Sequence, residues 1–351
     1  MESEKHDKRK KSVRWFASGW GSLVFALIVI AVFQLFPSFA DFVYRGFIYP
    51  LFRIFWDYTL GLLPFPLIWL VLIGVPIAIA YRIHKARQTG RSALWLVSGK
   101  IASWLAAFFW MWGFHYSCSD LMTFTPVTLT LEEYVSWAEE QTSRTAALRT
   151  LAADELQRKP DVSRIRRAVK DKLQEYGWRT PGRPGAHALN DGGFIRRLGI
   201  GGIYIPYAGE GYTSNTFHPI EQHFILAHEL SHACGVTHEG EADFVAWRAL
   251  AEDSSSRVHQ YAAELQLLRR LRGIVKRAGE EAWKKLVQQT PKDLQRDLVM
   301  LRLDAARYTE YQPGLGEKVN DQYLRLMGDA DGVNSYDLFV DMVAVHRRER
   351  Q

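Results

Sequence analysis

Two histidines stand four residues apart, with a glutamate directly after the first, in Phe224-Ile225-Leu226-Ala227-His228-Glu229-Leu230-Ser231-His232-Ala233-Cys234-Gly235. On a helix this spacing puts His228 and His232 on one face, so both imidazoles can turn to a single ion. Such an HExxH pattern supplies two zinc ligands and a base. Zinc polarises a carbonyl and lowers the pKa of a water toward about 7. Glu229, beside the pair, takes the water's proton and passes it to the leaving amine. The expected chemistry is peptide-bond hydrolysis by zinc-activated water, with Glu229 as general base. A chance HExxH on a surface helix is the bland alternative. Against it stand the apolar flanks, the uncharged Leu230 and Ser231, and Gly235 as a natural helix stop.

A catalytic zinc takes a third protein ligand and keeps one position open. Two neighbours compete for that role. His228 to His238 fits HExxHxxGxxH, with His238 as ligand. Alternatively, Glu239-Gly240-Glu241-Ala242-Asp243 opens the next helix. In that reading Glu239 binds zinc and Asp243, one turn on, orients a ligand from behind. The apolar run Ala242-Asp243-Phe244-Val245-Ala246-Trp247 favours Glu239. The His238 pattern also needs a methionine turn, yet Met300 and Met342 sit in helical patterns and Met327-Gly328 is a weak turn. Glu241 is a lesser candidate.

Upstream, Gly201-Gly202-Ile203-Tyr204-Ile205-Pro206-Tyr207 reads as a short strand, and its proline places it at a sheet edge. An edge strand beside a zinc helix can pair with an extended peptide, which makes Tyr204 and Tyr207 candidates for contact with a peptide or protein substrate. A plain structural strand is the equal alternative. Glu210, Tyr212, His218 and His223 lie nearby, and a Tyr or His donor could stabilise an oxyanion. Taken singly, each is more readily a packing or surface residue.

The surrounding pattern is mainly helical. Thr130 with Glu133 makes a capping box before a long helix reaching toward residue 158. Asp161 to Tyr176 reads as a basic amphipathic helix ending at Gly177, its charged side solvated or against anionic lipid. Thr180 to Gly193 reads as a Gly/Pro-rich loop. A polar loop then leads to Pro219, a good first helical residue. Helices continue to the end, with starts at Thr290-Pro291 and Ser335.

The first 117 residues are a different material from the last 234. Residues 17–36 and 59–80 carry no charge and are long enough to cross a bilayer of roughly 30 Å. Residues 101–117 form a shorter third candidate. Phe42 to Trp56, aromatic with scattered charges, suits the membrane interface, as do His115 and Tyr116. The first stretch lacks the small-residue cleavage site of a signal peptide. A chain that is 48% hydrophobic and 23% charged is reasonable only if the apolar residues are concentrated in this way.

The net charge of +6 falls largely in two short segments, so it reads as a topology signal rather than a nucleic-acid surface. Lys5, Lys8, Arg9, Lys10, Lys11 and Arg14 occupy the N-terminal arm. Arg82, Lys85, Arg87, Arg91 and Lys100 follow the second span, whereas the segment between the first two holds only Arg45 and Arg53. By the positive-inside rule, the N-terminus and second loop are cytoplasmic, and everything after Tyr116 is outside a plasma (inner) membrane crossed three times. The expected organisation is a basic arm (1–16), a membrane domain of three helices (17–117) and an extracytoplasmic domain (118–351). Cys118 and Cys234 would both be outside, where a disulfide can form.

On these residues the chain resembles a bacterial family of membrane proteins catalogued as a domain of unknown function, with three N-terminal spans and a zincin-like domain. The carriers are Trp112-Gly113-Phe114-His115-Tyr116, Gly201 to Glu210, His228 to His232, Glu239 to Phe244, Val319-Asn320-Asp321-Gln322-Tyr323-Leu324 and Gly332-Val333-Asn334-Ser335-Tyr336. The resemblance covers most of the chain. It implies a gluzincin-like peptidase fold, mostly helical with a short β element, and Glu239 as third ligand. His238 departs from the expected pattern. A reading from another class is a non-hydrolytic zinc-binding sensor or scaffold, which would have no need of a base at Glu229.

Overall fold

The computed structural model describes residues 19–90, 92–123, 125, 127, 129–327 and 338–350. The basic arm, Gly328 and the helix start expected at Ser335 lie outside them. The described chain is mainly helical with one three-stranded sheet, and it divides into two compact units.

The first unit spans residues 1–119 together with 181–183 and 205–210. Helix α1 (Trp20–Leu35) lies within the first apolar stretch. It breaks at Phe36-Pro37, and the chain then continues helically at 119° through Pro37–Leu62, including α2 (Tyr49–Asp57). In this segment the usual pattern is inverted. Phe42, Phe47 and Phe55 are exposed, whereas Arg53 and Asp57 are buried, the arrangement expected of a surface that faces hydrocarbon rather than water.

The second span differs from expectation. Helix α3 is Ile68–Thr89 rather than residues 59–80, because Pro64 and Pro66 disfavour helical backbone in the residues before them. It runs on through Arg82, Lys85 and Arg87, since these long side chains are good helix formers. The loop expected between spans therefore contracts to a turn at Gly90, which has φ +61°. Helix α4 (Ala93–Met111) starts earlier than expected and places Lys100 inside the helix. Helices α3 and α4 are long and apolar enough to cross a membrane, and the bent pair beginning with α1 makes a third if it counts as one span.

His115 is not exposed as an interfacial anchor would be. Its ring is buried, with centroids 4.2 Å from Tyr49 and 4.9 Å from Tyr44. The turn at residues 205–210 is bonded within the same unit. Arg53 donates to the Gly209 carbonyl at 2.8 Å, Trp56 to that of Ala208 at 2.8 Å, and the Leu67 N–H to the Glu210 carboxylate at 2.8 Å. Arg53 is also ion-paired with Asp57.

The second unit comprises residues 120–180, 184–204 and 211–351. Helix α5 (Leu131–Leu151) begins with the capping box of Thr130 and Glu133 and ends short of residue 158. Helix α6 (Val162–Glu175) buries the stripe Ile165, Val169 and Leu173. Its charges are not simply solvated. Arg164 pairs with Asp253 at 2.8 Å and Lys172 with Glu252 at 2.7 Å.

Two strands appear where loops were expected, β1 (Gly185–Leu189) and β3 (Glu210–Ser214). With β2 (Gly202–Ile205) they form a sheet in the order β1-β3-β2. β2 is thus an edge strand, ending just before Pro206. Helices α7 (Pro219–Ala233), α8 (Glu239–Ala251) and α9 (Arg257–Ala278) follow. Leu226, Leu230, Phe244, Val245, Leu267 and Leu271 belong to one buried cluster that also takes in Ile165 and Val169.

Candidate metal centre

His218 caps α7 and Pro219 opens it. The helix ends in a Schellman turn: the Gly235 N–H donates to the His232 carbonyl at 2.8 Å and the Val236 N–H to that of Ser231 at 3.2 Å, with Gly235 at φ +105°. This turn leaves the Val236 carbonyl facing His232, whose Nδ1–H donates to it at 2.7 Å. His238 then serves as N-cap residue of α8, and Glu239 is the first residue inside that helix.

The ligand atoms of His228, His232 and Glu239 all lie within 4.8 Å of one another, and the three residues are buried. Nε2 of His228 stands 2.9 Å from Nε2 of His232 and 3.1 Å from Oε2 of Glu239, and His232 Nε2 lies 3.4 Å from that oxygen. Three ligands at 2.0–2.2 Å from a tetrahedral ion would stand about 3.3–3.6 Å apart. The observed triangle needs only slight expansion to fit. His238 is half-buried and is not in the group. Glu241 accepts the Leu121 N–H at 2.7 Å.

The supports fix which nitrogen faces inward. His228 Nδ1–H donates to Asp243 at 2.8 Å, and Arg270 donates to the other Asp243 oxygen at 3.1 Å. With both Nδ1 atoms donating outward, neutral imidazoles point two Nε2 lone pairs at one place beside a carboxylate oxygen. Only a proton or a metal cation relieves that arrangement. Burial acts to lower the His228 pKa, but Asp243 and Glu239 outweigh it and raise it well above the ordinary value. Burial likewise acts to raise Glu239, but His232 and His228 hold it below the ordinary carboxylate range. The centre is built to hold positive charge.

Glu229 differs. Burial raises its carboxyl to about 7, against the pull of the two imidazoles, and its Oε2 is buried without a hydrogen-bond partner. Two glycines that sequence reasoning did not single out for this role press on it. A Cβ at Gly202 would lie 2.3 Å from Glu229 Oε1, and one at Gly211 would lie 2.4 Å from Glu229 Cβ and 3.3 Å from its backbone carbon. The available signal was glycine inside a strand, which marks close approach by another group. Gly211→Ala is expected to cost about 1–3 kcal/mol through overpacking. A thermal midpoint equal to that of the native chain would contradict this contact.

The remaining sequence candidates are placed elsewhere. Tyr204 is half-buried in β2. Tyr207 lies beyond the strand, because β2 stops where Pro206 offers no N–H, and its hydroxyl donates to the Trp104 carbonyl at 2.9 Å. Tyr212 is buried and stacks on His187. His223 Nε2 meets the Arg158 carbonyl at 3.0 Å, and His218 meets Gln157 at 3.1 Å. Cys118 and Cys234 form no disulfide.

Over residues 44–344 the chain matches a family described as protein of unknown function (DUF3810). No curated protein and no solved structure matches it.

Proposed function

The chain belongs to that family, and on the geometry of its metal centre we propose that it is a membrane-anchored zinc metallopeptidase of zincin-like, gluzincin-type construction. The observation that carries this reading is the triangle of His228, His232 and Glu239 with the unpartnered, buried oxygen of Glu229 beside it. A binding-only module would gain nothing from burying a carboxylate whose oxygen lacks a donor, and such a group is costly.

Two imidazoles and one carboxylate form the donor set of a catalytic zinc. When bound, zinc supplies a Lewis acid that polarises a peptide carbonyl and makes water more acidic. Asp243, backed by Arg270, holds the His228 ring so that Nε2 faces inward, and the Val236 carbonyl does the same for His232. Glu229 holds the attacking water, takes its proton and delivers that proton to the leaving nitrogen. The open edge of β2 offers backbone groups to an extended peptide. The test is hydrolysis of an unfolded protein by the full-length chain in detergent. We expect cleavage that a chelator stops and zinc restores; chelator-insensitive cleavage would exclude a zinc-dependent reaction.

The proposed topology has three crossings, a cytoplasmic N-terminus and the metal centre outside. The cations Arg82, Lys85 and Arg87 lie at the α3 end. In contrast, the earlier segment holds only Arg45 and Arg53, and orientation follows the Lys/Arg bias between loops. A reporter fused at the C-terminus should be active outside the cytoplasm, and cytoplasmic activity would refute this orientation.

A further inference from the structure

Independently of the peptidase reading, we propose that the second unit docks on the surface of a phospholipid bilayer through an exposed apolar patch. The patch is built on helix α10 (Leu315–Leu326) and the short helix Phe194–Arg197. At about 100° per residue, Leu315, Val319 and Leu326 fall within about 40° of one another around α10, and Leu324 lies on the opposite side. Leu324 is buried, whereas Leu315, Val319 and Leu326 are exposed. A surface helix of a water-soluble protein carries one apolar stripe, toward the core, with polar residues opposite. α10 packs through Leu324 and turns a second apolar stripe outward.

Neighbouring residues extend that stripe. A Cβ at Gly316 would meet the Leu198 carbonyl, so the start of α10 lies directly against Leu198. The Tyr311 N–H donates to the Arg197 carbonyl at 2.8 Å, and the Tyr311 ring centroid stands 6.2 Å from that of Phe194. Phe194, Leu198 and Tyr311 are exposed as well. Apolar residues exposed singly are ordinary, but a contiguous set marks a contact surface for a protein or a membrane.

Three observations favour a bilayer. First, Leu326 is 85% and Tyr311 66% exposed, so these side chains protrude instead of lining a groove that could hold a peptide. Second, six partly exposed side chains, of which the largest are aromatics of roughly 150–250 Å² when whole, fall short of the roughly 800 Å² that each partner gives to a stable complex. A second copy is therefore the poorer occupant. Helices α3 and α4 are long and apolar enough to cross a membrane, so the chain keeps a bilayer at high effective concentration and weak insertion suffices. Third, cations flank the stripe. Lys318 and Arg325 lie about 60° and 80° from Leu315 on one side, and both are exposed. The Arg197 guanidinium lies 5.9 Å from the centre of the Tyr311 ring. Glu317 and Asp321 are farther round, toward Leu324, and Asp321 is paired with Arg325 at 2.9 Å. Aliphatic and aromatic side chains in front, with Lys and Arg at their rim, suit the boundary between headgroups and acyl chains.

The test uses the full-length chain in nanodiscs of phosphatidylcholine and phosphatidylglycerol. Val319→Cys and Leu326→Cys each carry a bimane label, and Lys284→Cys, at a side chain 67% exposed, is the water-facing reference. The unsubstituted chain gives the background from Cys118 and Cys234. Doxyl-labelled lipid quenches bimane in the bilayer, and iodide quenches it in water. Insertion to roughly 5–10 Å should make lipid quenching at positions 319 and 326 at least about twofold greater than at 284, with the reverse order for iodide. The pair Tyr311→Glu and Leu315→Glu should return the label at 326 to the reference pattern. Quenching at 319 and 326 that matches the reference from the start would overturn the proposal. Protection from both quenchers would show that protein covers the patch, a second copy or another segment, and would equally overturn it. Lipid quenching that survives the paired glutamates would overturn the assignment to these residues.

Discussion

Glu229→Gln is expected to keep about one zinc per chain while hydrolysing peptide on the order of 10²–10⁴-fold more slowly than the native protein. The amide has nearly the shape of the carboxylate, and Gly202 and Gly211 leave room for that shape and no more. The side chain should therefore stay in place while losing its ability to accept a proton. Its unpartnered oxygen touches none of the ligand atoms through a hydrogen bond, so metal retention should not depend on it. Zinc content by elemental analysis and initial rates on the same preparation give the answer. Undiminished cleavage would exclude Glu229 as the base, and loss of zinc would recast it as a ligand.

The second large effect concerns the metal. His228→Ala, His232→Ala and Glu239→Ala should each purify with far less than one zinc per chain, because each removes one of three protein ligands. His238→Ala should keep its zinc, since the His238 side chain stands outside the cluster. Asp243→Asn should retain the ligand set but weaken zinc binding by roughly 10–100-fold, the usual consequence of losing a carboxylate behind a ligating histidine. Full zinc in His232→Ala would sink the centre. Zinc lost in His238→Ala but kept in Glu239→Ala would move the third ligand by one residue. Zinc that binds only the folded chain also raises its melting temperature, so thermal scans with and without chelator should rank the variants in the same order.

The local features of this site were legible because helix geometry is local. A four-residue spacing puts His228 and His232 together in any straight helix. Gly235 can end that helix because glycine tolerates positive φ, and Thr130 with Glu133 caps α5 by bonds between near neighbours. The apolar stretches were legible for a similar reason, since composition alone decides whether a segment can cross a bilayer. Their ends were less so. Proline rather than charge sets where α3 begins, and lysine and arginine extend the helix instead of ending it.

Composition misled for the sheet. Apart from Leu189 and Tyr212, β1 and β3 are built from small and polar residues, and β3 is fully buried without any apolar alternation to announce it. It is a strand because it lies between β1 and β2 and passes over α7, where Gly211 gives the clearance that a side chain would deny. The edge position of β2 was legible through Pro206. That its Gly202 comes so close to Glu229 and Ile225 was not.

His228 and His232 were thus determined by the sequence alone as a pair on one helical face, with Glu229 beside them. Between His238 and Glu239, one residue apart and both able to bind zinc, the sequence left the choice open. In the folded chain it is Glu239 that groups with the two histidines. The Schellman turn after α7 and the start of α8 place Glu239 in the first turn, with its carboxylate at 3.1 and 3.4 Å from the two imidazoles. The same path leaves His238 at the cap, outside the cluster. That outcome depends on how two helices pack through Leu230, Phe244 and Val245, and residue order along a single helix carries no record of it.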